Sequence, residues 1–280
     1  MKSKFVIDLL FFFLIFLLLF LIESSILCAQ NYNLNNHVAS PRIYLYGGMF
    51  MPTVSTTVRV DSKTLGTDTS INPEDELAFD ARPKVLRLDA IAGSGSQFAI
   101  SYMNIQRDGN AYITRDIVFG DTVYHAGGNT SAYFNTQIFG GSWRFAIINN
   151  RIWTAGISFG MRWMDVNTGI TFQSEELQYS DDENVGVPAP LLGLHGSVYI
   201  TPRLLGRFSL EYFRIHSSSF YAKAADHRFS AEYYFLKNLG AGVSYSIIDY
   251  EVNKFPFNNE FSGEINYSLK GFSLFVAARF

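Results

Sequence analysis

The sequence of 280 residues has little cysteine, little charge and hardly any long apolar runs. Its one cysteine, Cys28, excludes an internal disulfide and a zinc site built from several cysteines. Charged residues make up 17% of the chain, and a net charge of −3 gives no electrostatic reason to expect nucleic acid as a partner. No spacing of His, Asp and Glu resembles a zinc site, so we expect neither a metal nor another cofactor.

The long apolar run of the chain lies near its start, at residues 9–22. Two lysines precede the run and a small residue, Ala29, follows it, which is the arrangement of a secretory signal peptide. The run is shorter than the ~20 residues that span a bilayer as a helix. We predict a signal peptide over 1–29, cleaved after Ala29, and a single domain over 30–280. An uncleaved anchor helix and a lipoprotein modified at Cys28 are the alternatives.

Aromatic residues are abundant, at 16% of the chain, which excludes disorder and a coiled coil. They recur with a period of two in many segments. In one of these, Trp153, Ala155, Ile157, Phe159, Met161 and Trp163 alternate with Thr154, Gly156, Ser158, Gly160 and Arg162. Successive side chains of a strand point to opposite faces, so such segments predict strands with one apolar face and one small or polar face.

The polar face decides between a soluble β-sandwich or lipocalin-like barrel and a membrane barrel. It is rich in Gly and Ser with isolated Arg and Glu, whereas the apolar face carries large aromatics, which suits lumen on one side and lipid on the other. Trp153 and Trp163 stand about 25 Å apart along a tilted strand, the height of the band between two aromatic girdles. We predict an all-β, transmembrane, antiparallel up-and-down β-barrel with both tryptophans in its girdles.

Short turns and longer connections alternate along the chain and delimit ten predicted strands. The strands are 42–61, 83–92, 97–107, 130–147, 151–166, 189–200, 204–215, 227–236, 239–249 and 261–280. The longer connections are 62–82, 108–129, 167–188, 216–226 and 250–260, and in such barrels they are extracellular. Eight or twelve strands stay open as alternatives, because the second connection has room for a hairpin.

The last predicted strand changes phase in its middle. Phe261, Ile265, Tyr267 and Leu269 occupy odd positions, whereas Phe272, Leu274, Val276, Ala278 and Phe280 occupy even ones. A β-bulge at Lys270-Gly271 would let both apolar sets face lipid. A hairpin there would give an eleventh strand, but bacterial single-chain barrels have even strand numbers. We therefore predict one long strand with a bulge.

The end of the chain resembles the C-terminal signal read by the barrel-assembly machinery of Gram-negative bacteria. Its signal residues are Phe272, Leu274, Val276, Ala278 and Phe280. The whole chain resembles small outer-membrane β-barrel proteins, and residues 65–77 are similar to a stretch in a poorly characterised group of them. The resemblance implies the cell outer membrane of a Gram-negative bacterium, with lipids, lipopolysaccharide and the assembly machinery as partners. We expect a monomer, and the fold does not fix one activity.

The predicted lumen face carries charges of both signs. They are Arg87, Asp89, Arg144, Arg162, His195, Arg207, Glu211, Arg228, Glu232 and Glu264. Desolvated charges need partners, so we predict a network of ion pairs. Eight-stranded barrels are filled by side chains and open aqueous pores have about 16–18 strands, so ten strands lie near the filled end. We expect a non-enzymatic barrel with a filled lumen and a structural or surface-interaction role; a narrow channel for ions or small solutes is the alternative.

Three other sites are weaker candidates. His216 and Ser218 resemble the His–Ser pair of lipid A deacylase barrels, and a lipid A-modifying hydrolase is the second alternative. Asp226-His227 could serve an aspartyl-type outer-membrane protease, although adjacent strand residues face opposite sides. The acidic connections, such as 74–76 and 181–183, are predicted to be solvated; weak Ca²⁺ or Mg²⁺ binding is the alternative, without the spacing of a 12-residue calcium loop.

Overall fold

The computed structural model describes residues 42–61, 68–119, 122–124, 126–150, 152–173, 178–217, 220–253 and 262–280. The predicted signal peptide, Phe261 and Ser218 lie outside these residues. Within the described ranges, no helix is long and apolar enough to cross a membrane.

The chain is built almost entirely from antiparallel strands. In chain order they are β1 (Ile43–Asp61), β2 (Asp68–Ile71), β3 (Val85–Gly93), β4 (Ser96–Ile105), β5 (Asp108–Tyr112), β6 (Ile117–Phe119), β7 (Thr122–Tyr124), β8 (Asn129–Asn149), β9 (Trp153–Gln173), β10 (Gln178–Thr201), β11 (Leu204–Ser217), β12 (Phe220–Tyr233), β13 (Leu239–Asn253) and β14 (Ser262–Arg279). A single turn of helix, α1 (Pro73–Glu76), follows β2.

Ten of these strands form a closed barrel. The ring runs β1, β3, β4 and then β8 to β14, and β14 closes it by pairing with β1 from Tyr44–Arg279 to Asp61–Ser262. The remaining strands lie outside the ring: β2 pairs with β1, β5 pairs with β8, and β6 and β7 form a separate hairpin. The prediction of ten strands is therefore confirmed, and the second connection holds a hairpin that adds no strand to the barrel.

The two ends of the barrel differ in how the strands are joined. At the turn end, which also holds the start of β1 and the end of β14, the connections after β3, β8, β10 and β12 are short. At the opposite loop end, β1 and β3 are separated by residues 62–84, and β4 and β8 by residues 106–128. This alternation agrees with the predicted one, and in outer-membrane barrels the short turns are periplasmic and the longer loops extracellular.

Two of the predicted connections are wrong in extent. Residues 167–188 and 216–226 lie mostly in strands, because β9 and β10 stay paired up to Gln173–Gln178, and β11 and β12 up to Ser217–Phe220. Beyond the lipid both faces of a strand meet water, so the alternation that reveals a strand inside the membrane fades there while backbone pairing continues.

The predicted bulge in β14 is also wrong, although the prediction of one long strand is confirmed. Pairing of β14 with both neighbours runs through Lys270-Gly271 without a shift in register. Tyr267 and Leu269 are buried inside the barrel, whereas Phe272 is 62% exposed on its outer wall. The apolar side chains of β14 thus face the lumen before Lys270-Gly271 and the lipid after it. The alternation of its side chains between the two faces continues without a break.

An apolar belt surrounds the outer wall of the barrel. It contains Leu45, Met49, Leu86, Ile100, Phe139, Ile157, Phe159, Leu194, Phe229, Val243 and Leu274, all more than a third exposed. Trp153 and Trp163 project from the same face of β9, 54% and 42% exposed. Aliphatic and aromatic surface of this extent is costly in water and suits a bilayer. The wall is that of a transmembrane barrel.

One seam of the wall opens toward the loop end. β10 pairs with β11 only from Leu192–Tyr212 to the turn end, while it pairs with β9 throughout. Pro188 and Pro190 precede this point on β10. They lie two residues apart and therefore face the same neighbouring strand, to which neither can donate a backbone hydrogen bond. Within the described chain, β10 from Gln178 to Leu191 has no partner on that side.

Candidate functional site

The interior of the barrel contains three layers of side chains, and the layer nearest the turn end is aromatic. Tyr44, Tyr46, Tyr234 and Phe275 are buried there. The Tyr46 ring packs edge-on against Phe275, with 5.6 Å between centroids. The Arg207 guanidinium lies over the Tyr44 ring at 4.1 Å from its centroid, which covers this layer with positive charge.

The middle layer is charged. It holds Arg87, Arg144, Arg162, Arg207, Arg228, Asp89, Glu211, Asp226 and Glu232. Asp89 bridges two of the arginines, because its carboxylate accepts from Arg87 Nε at 3.1 Å and from Arg228 Nη1 at 2.6 Å. These contacts join β3 to β12 across the lumen.

Two further bridges in the middle layer involve Arg162 and Glu232. Arg162 donates from Nη2 to Glu211 at 2.6 Å and from Nε to Asp226 at 2.9 Å. Glu232 accepts from Arg207 Nε at 2.9 Å and from the Tyr234 hydroxyl at 2.8 Å. The Tyr234 contact links the charged layer to the aromatic one below it. The Arg162 contacts join strands that are not neighbours in the ring. Removing one partner of such a buried ion pair would leave the other charge desolvated, which strongly destabilises a protein.

The layer nearest the loop end is apolar, and part of it comes from the first connection. Residues 71–85, here called the plug, turn inward and bury Ile71, Leu77 and Phe79. They pack in one cluster with Phe50 and Val54 from β1. Two other members, Ile113 and Ile117, come from the connection between β4 and β8. The ring strands contribute Val85, Met103, Ile105, Phe134, Ile138, Met164, Val166, Val187, Leu191, Ile248, Tyr250, Val252, Tyr267 and Leu269.

A buried ion pair anchors the plug. α1 begins at Asn72, whose side chain accepts from the backbone N–H groups of its first turn, and this places Glu74 toward the wall. Glu74 accepts from Arg107 Nη1 and from the Thr56 hydroxyl at 2.7 Å. The Arg107 side chain is 0% exposed and lies 5.3 Å from the centroid of the Phe134 ring. The prediction that residues 74–76 are simply solvated is therefore wrong for Glu74.

The structure brings nine of the ten predicted lumen residues into the lumen and leaves Glu264 outside. Glu264 lies on the outward face of β14, near Arg59 of β1 at 3.4 Å, above the apolar belt. The prediction places it inside because it assumes a bulge; without the bulge, Glu264 shares the face of Phe272. His195, one of the nine, is 4% exposed.

Three interior ion-pairing residues of the described chain are missing from the predicted network: Asp226, Arg107 and Glu74. Asp226 falls in a predicted connection, although its even number gives it the face of Arg228 and Glu232 on β12. Arg107 continues the odd, inward series of β4, so the same alternation could have found it.

The other predicted residues are spread over the outer surface. Phe272, Leu274, Val276 and Phe280 are exposed on the outer wall from the middle of β14 to the turn end, with Ala278 on the same face. His216 lies exposed at the loop end of β11, where its ring contacts Tyr221. His227 faces away from Asp226, as expected for neighbours in a strand. Residues 181–183 lie on β10. Among the described residues, no group of three or more His, Cys, Asp or Glu could hold a metal ion.

A small cavity remains within the charged layer. Its volume is about 60 Å³, and its lining includes Arg144, Arg162, Arg207, Ser142 and Ser209. Since roughly 10–15 Å³ of such volume accommodates one water molecule, the cavity has room for a few waters or one small ion. It is far smaller than the aqueous channel of a porin.

No family model matches the chain, and no curated protein matches it. Solved structures that are similar include the outer-membrane protease OmpT from Escherichia coli, at 10% identity over 88% of this chain and 99% of that one, with a TM-score of 0.49. The translocator domain of the autotransporter NalP from Neisseria meningitidis is 12% identical over 92% of this chain and 95% of that one, with a TM-score of 0.45. The attachment invasion locus protein Ail of Yersinia pestis is 10% identical over 86% of this chain and 100% of that one, with a TM-score of 0.30. The likeness is one of fold alone.

Proposed function

We propose that this outer-membrane β-barrel protein is a closed, non-enzymatic barrel that acts through its extracellular part, in surface contact or in stabilising the envelope. The observation that carries the proposal is the filled interior. An aromatic layer, a charged layer with three ion-pair bridges and an apolar layer follow one another between the turn end and the loop end. Such an interior supplies rigidity rather than a path for solutes.

The part of the barrel available for contact is a tall sheet formed by β8, β9 and β10. Beyond Trp163, β9 continues for about ten residues to Gln173, which at ~3.3 Å per residue and a tilt of roughly 40° rises about 25 Å above the girdle. β8 and β10 stay paired with it over this length. The sheet thus projects well beyond the bilayer from a rigid base.

Lipid contact is the second part of the proposal. Just above the belt, Lys223 lies 3.7 Å from Glu251 and Lys270 lies 3.8 Å from Asp249, all on the outward face of the wall. Half-exposed lysines at this level suit lipopolysaccharide phosphates, which are held by charge-assisted hydrogen bonds. The apolar belt continues around the ring, which supports a monomer surrounded by lipid.

The experiment that tests this proposal separates the projecting sheet from the barrel. Residues 168–183 are replaced by Asn-Gly, which joins the facing pair Asn167–Asn184 through a two-residue hairpin turn. A strain lacking the protein is complemented with wild type, with this trimmed variant, and with Ser244→Ala, a buried lumen change that breaks no ion pair, as a control. Adherence to surfaces and growth in SDS with EDTA are measured.

We expect wild type and the lumen control to restore the lost property, and the trimmed variant to fail although it still shows heat-modifiable migration. Full restoration by the trimmed variant would contradict a role for the projecting sheet.

A further inference from the structure

The charged layer of the lumen carries one more arginine than carboxylates. Its five arginines face four carboxylates, and each carboxylate takes part in one of three bridges, although Oε1 of Glu211 makes no hydrogen bond within the described chain. Arg87 and Arg228 share Asp89, Arg162 binds both Glu211 and Asp226, and Arg207 binds Glu232. Arg144 takes part in none of these bridges, and its Nε makes no hydrogen bond within the described chain. Its Nε is fully buried.

Other polar side chains lie close to Arg144. His195, 4% exposed, lies in the same region, with Arg144 and Arg207 as its charged neighbours. Nη2 of Arg207 is buried and unpartnered as well. Arg144 and Arg207 both line the cavity of about 60 Å³, together with the hydroxyl-bearing Ser142 and Ser209. Donors therefore converge on a space that has room for a small ion.

An unpaired guanidinium in a desolvated interior is costly, because the burial of a charge requires a partner. We propose that the lumen binds one small monovalent anion, of the size and charge of chloride, at Arg144. One negative charge neutralises the layer, whereas a dianion such as phosphate would leave it negative. The anion stabilises the barrel from within, and the layers above and below make its exchange slow, so it enters during folding.

The most direct test is to fold the wild-type protein in bromide, crystallise it and locate bromide from its anomalous scattering. A bromide peak within hydrogen-bond distance of Arg144 inside the lumen is expected. A well-measured map without a peak beside Arg144 would overturn the proposal, and this test needs no variant.

A second test measures stability in solution. The protein is folded in sodium chloride or in sodium gluconate at equal ionic strength, and the midpoint of thermal unfolding is recorded. For wild type, the midpoint should rise with chloride and then level off, as for a ligand that binds the folded state. Arg144→Met should remove the chloride dependence, whereas Arg214→Met, a change of an exposed arginine on β11, should keep it. Equal midpoints for wild type in the two salts would contradict the proposal. This result does not depend on whether the barrel conducts ions, so it tests the anion site separately from the filled lumen.

Discussion

At the scale of single residues, the neighbouring glutamates of α1 form ion pairs in different surroundings. Glu74 pairs with Arg107, whose side chain is 0% exposed, whereas Glu76 pairs with Arg115, whose side chain is 50% exposed. Glu74→Gln leaves a buried charge without its partner and should lower the free energy of unfolding by about 3–5 kcal/mol. Glu76→Gln should cost less than about 1 kcal/mol. Urea unfolding in lipid vesicles measures both, and equal effects of the two variants would show that Glu74 does not anchor the plug.

Two adjacent glycines of β8 offer a second comparison. A Cβ at Gly140 would lie 2.4 Å from Ser101 Oγ and 2.7 Å from Arg162 Cδ, whereas a Cβ at Gly141 would meet nothing closer than 3.8 Å. Gly140→Ala should therefore displace Arg162 from its carboxylates and cost about 1–3 kcal/mol. Gly141→Ala should stay within about 0.5 kcal/mol. The same unfolding assay separates them; a neutral Gly140→Ala would mean that the Arg162 bridges tolerate movement.

The sequence predicts well which side chains face the lumen where lipid imposes a strict alternation, and it predicts this poorly above the apolar belt. Arg87, Arg162 and Arg207 could be assigned to the lumen because their strands alternate within the membrane. Glu264 could not, because the apolar face of β14 changes from lumen to lipid at Lys270-Gly271 and a sequence pattern cannot distinguish this change from a bulge. The partners of each charge depend on the stagger between strands, which the alternation does not contain.

At the scale of elements, the inward fold of the plug is the main feature that the sequence did not reveal. Its polar residues, with three consecutive acids at 74–76, resemble a solvated loop, and its few apolar residues have no period. What buries it is the apolar layer at the loop end, to which β1, β4, β8, β13 and β14 contribute. A segment held by contacts so distant in sequence has no local signature.

Thiol labelling can test the position of the plug, since the described residues contain no native cysteine. Leu77→Cys places a thiol at a site that is 5% exposed, and Asp75→Cys places one at an exposed site two residues away. In folded protein, a membrane-impermeant maleimide should label the Asp75→Cys variant rapidly and the Leu77→Cys variant at least about ten times more slowly, because a buried thiol reacts only when the plug opens locally. Both variants should react equally after denaturation. Equal rates in the folded state would place the plug outside the barrel.

At the scale of the whole molecule, the strand number and the up-and-down order of the strands follow from the sequence. In a closed barrel each strand must expose one apolar face to the lipid, and this face is visible as alternation in the sequence. The filling of the lumen follows only in outline. Ten strands leave an interior that side chains can fill, but which layers do so depends on the plug and on the cross-lumen bridges. The closed interior is the central claim of this account.

Single-channel recording in planar bilayers tests that claim most directly. Detergent-folded protein, checked for β-sheet circular dichroism and heat-modifiable migration, is inserted into a bilayer in molar salt, with a large porin as the control for insertion. We expect no discrete conductance steps from wild type. Reproducible steps that become smaller when Arg144, Arg162 or Arg207 is substituted would contradict the filled lumen and identify the barrel as a narrow channel.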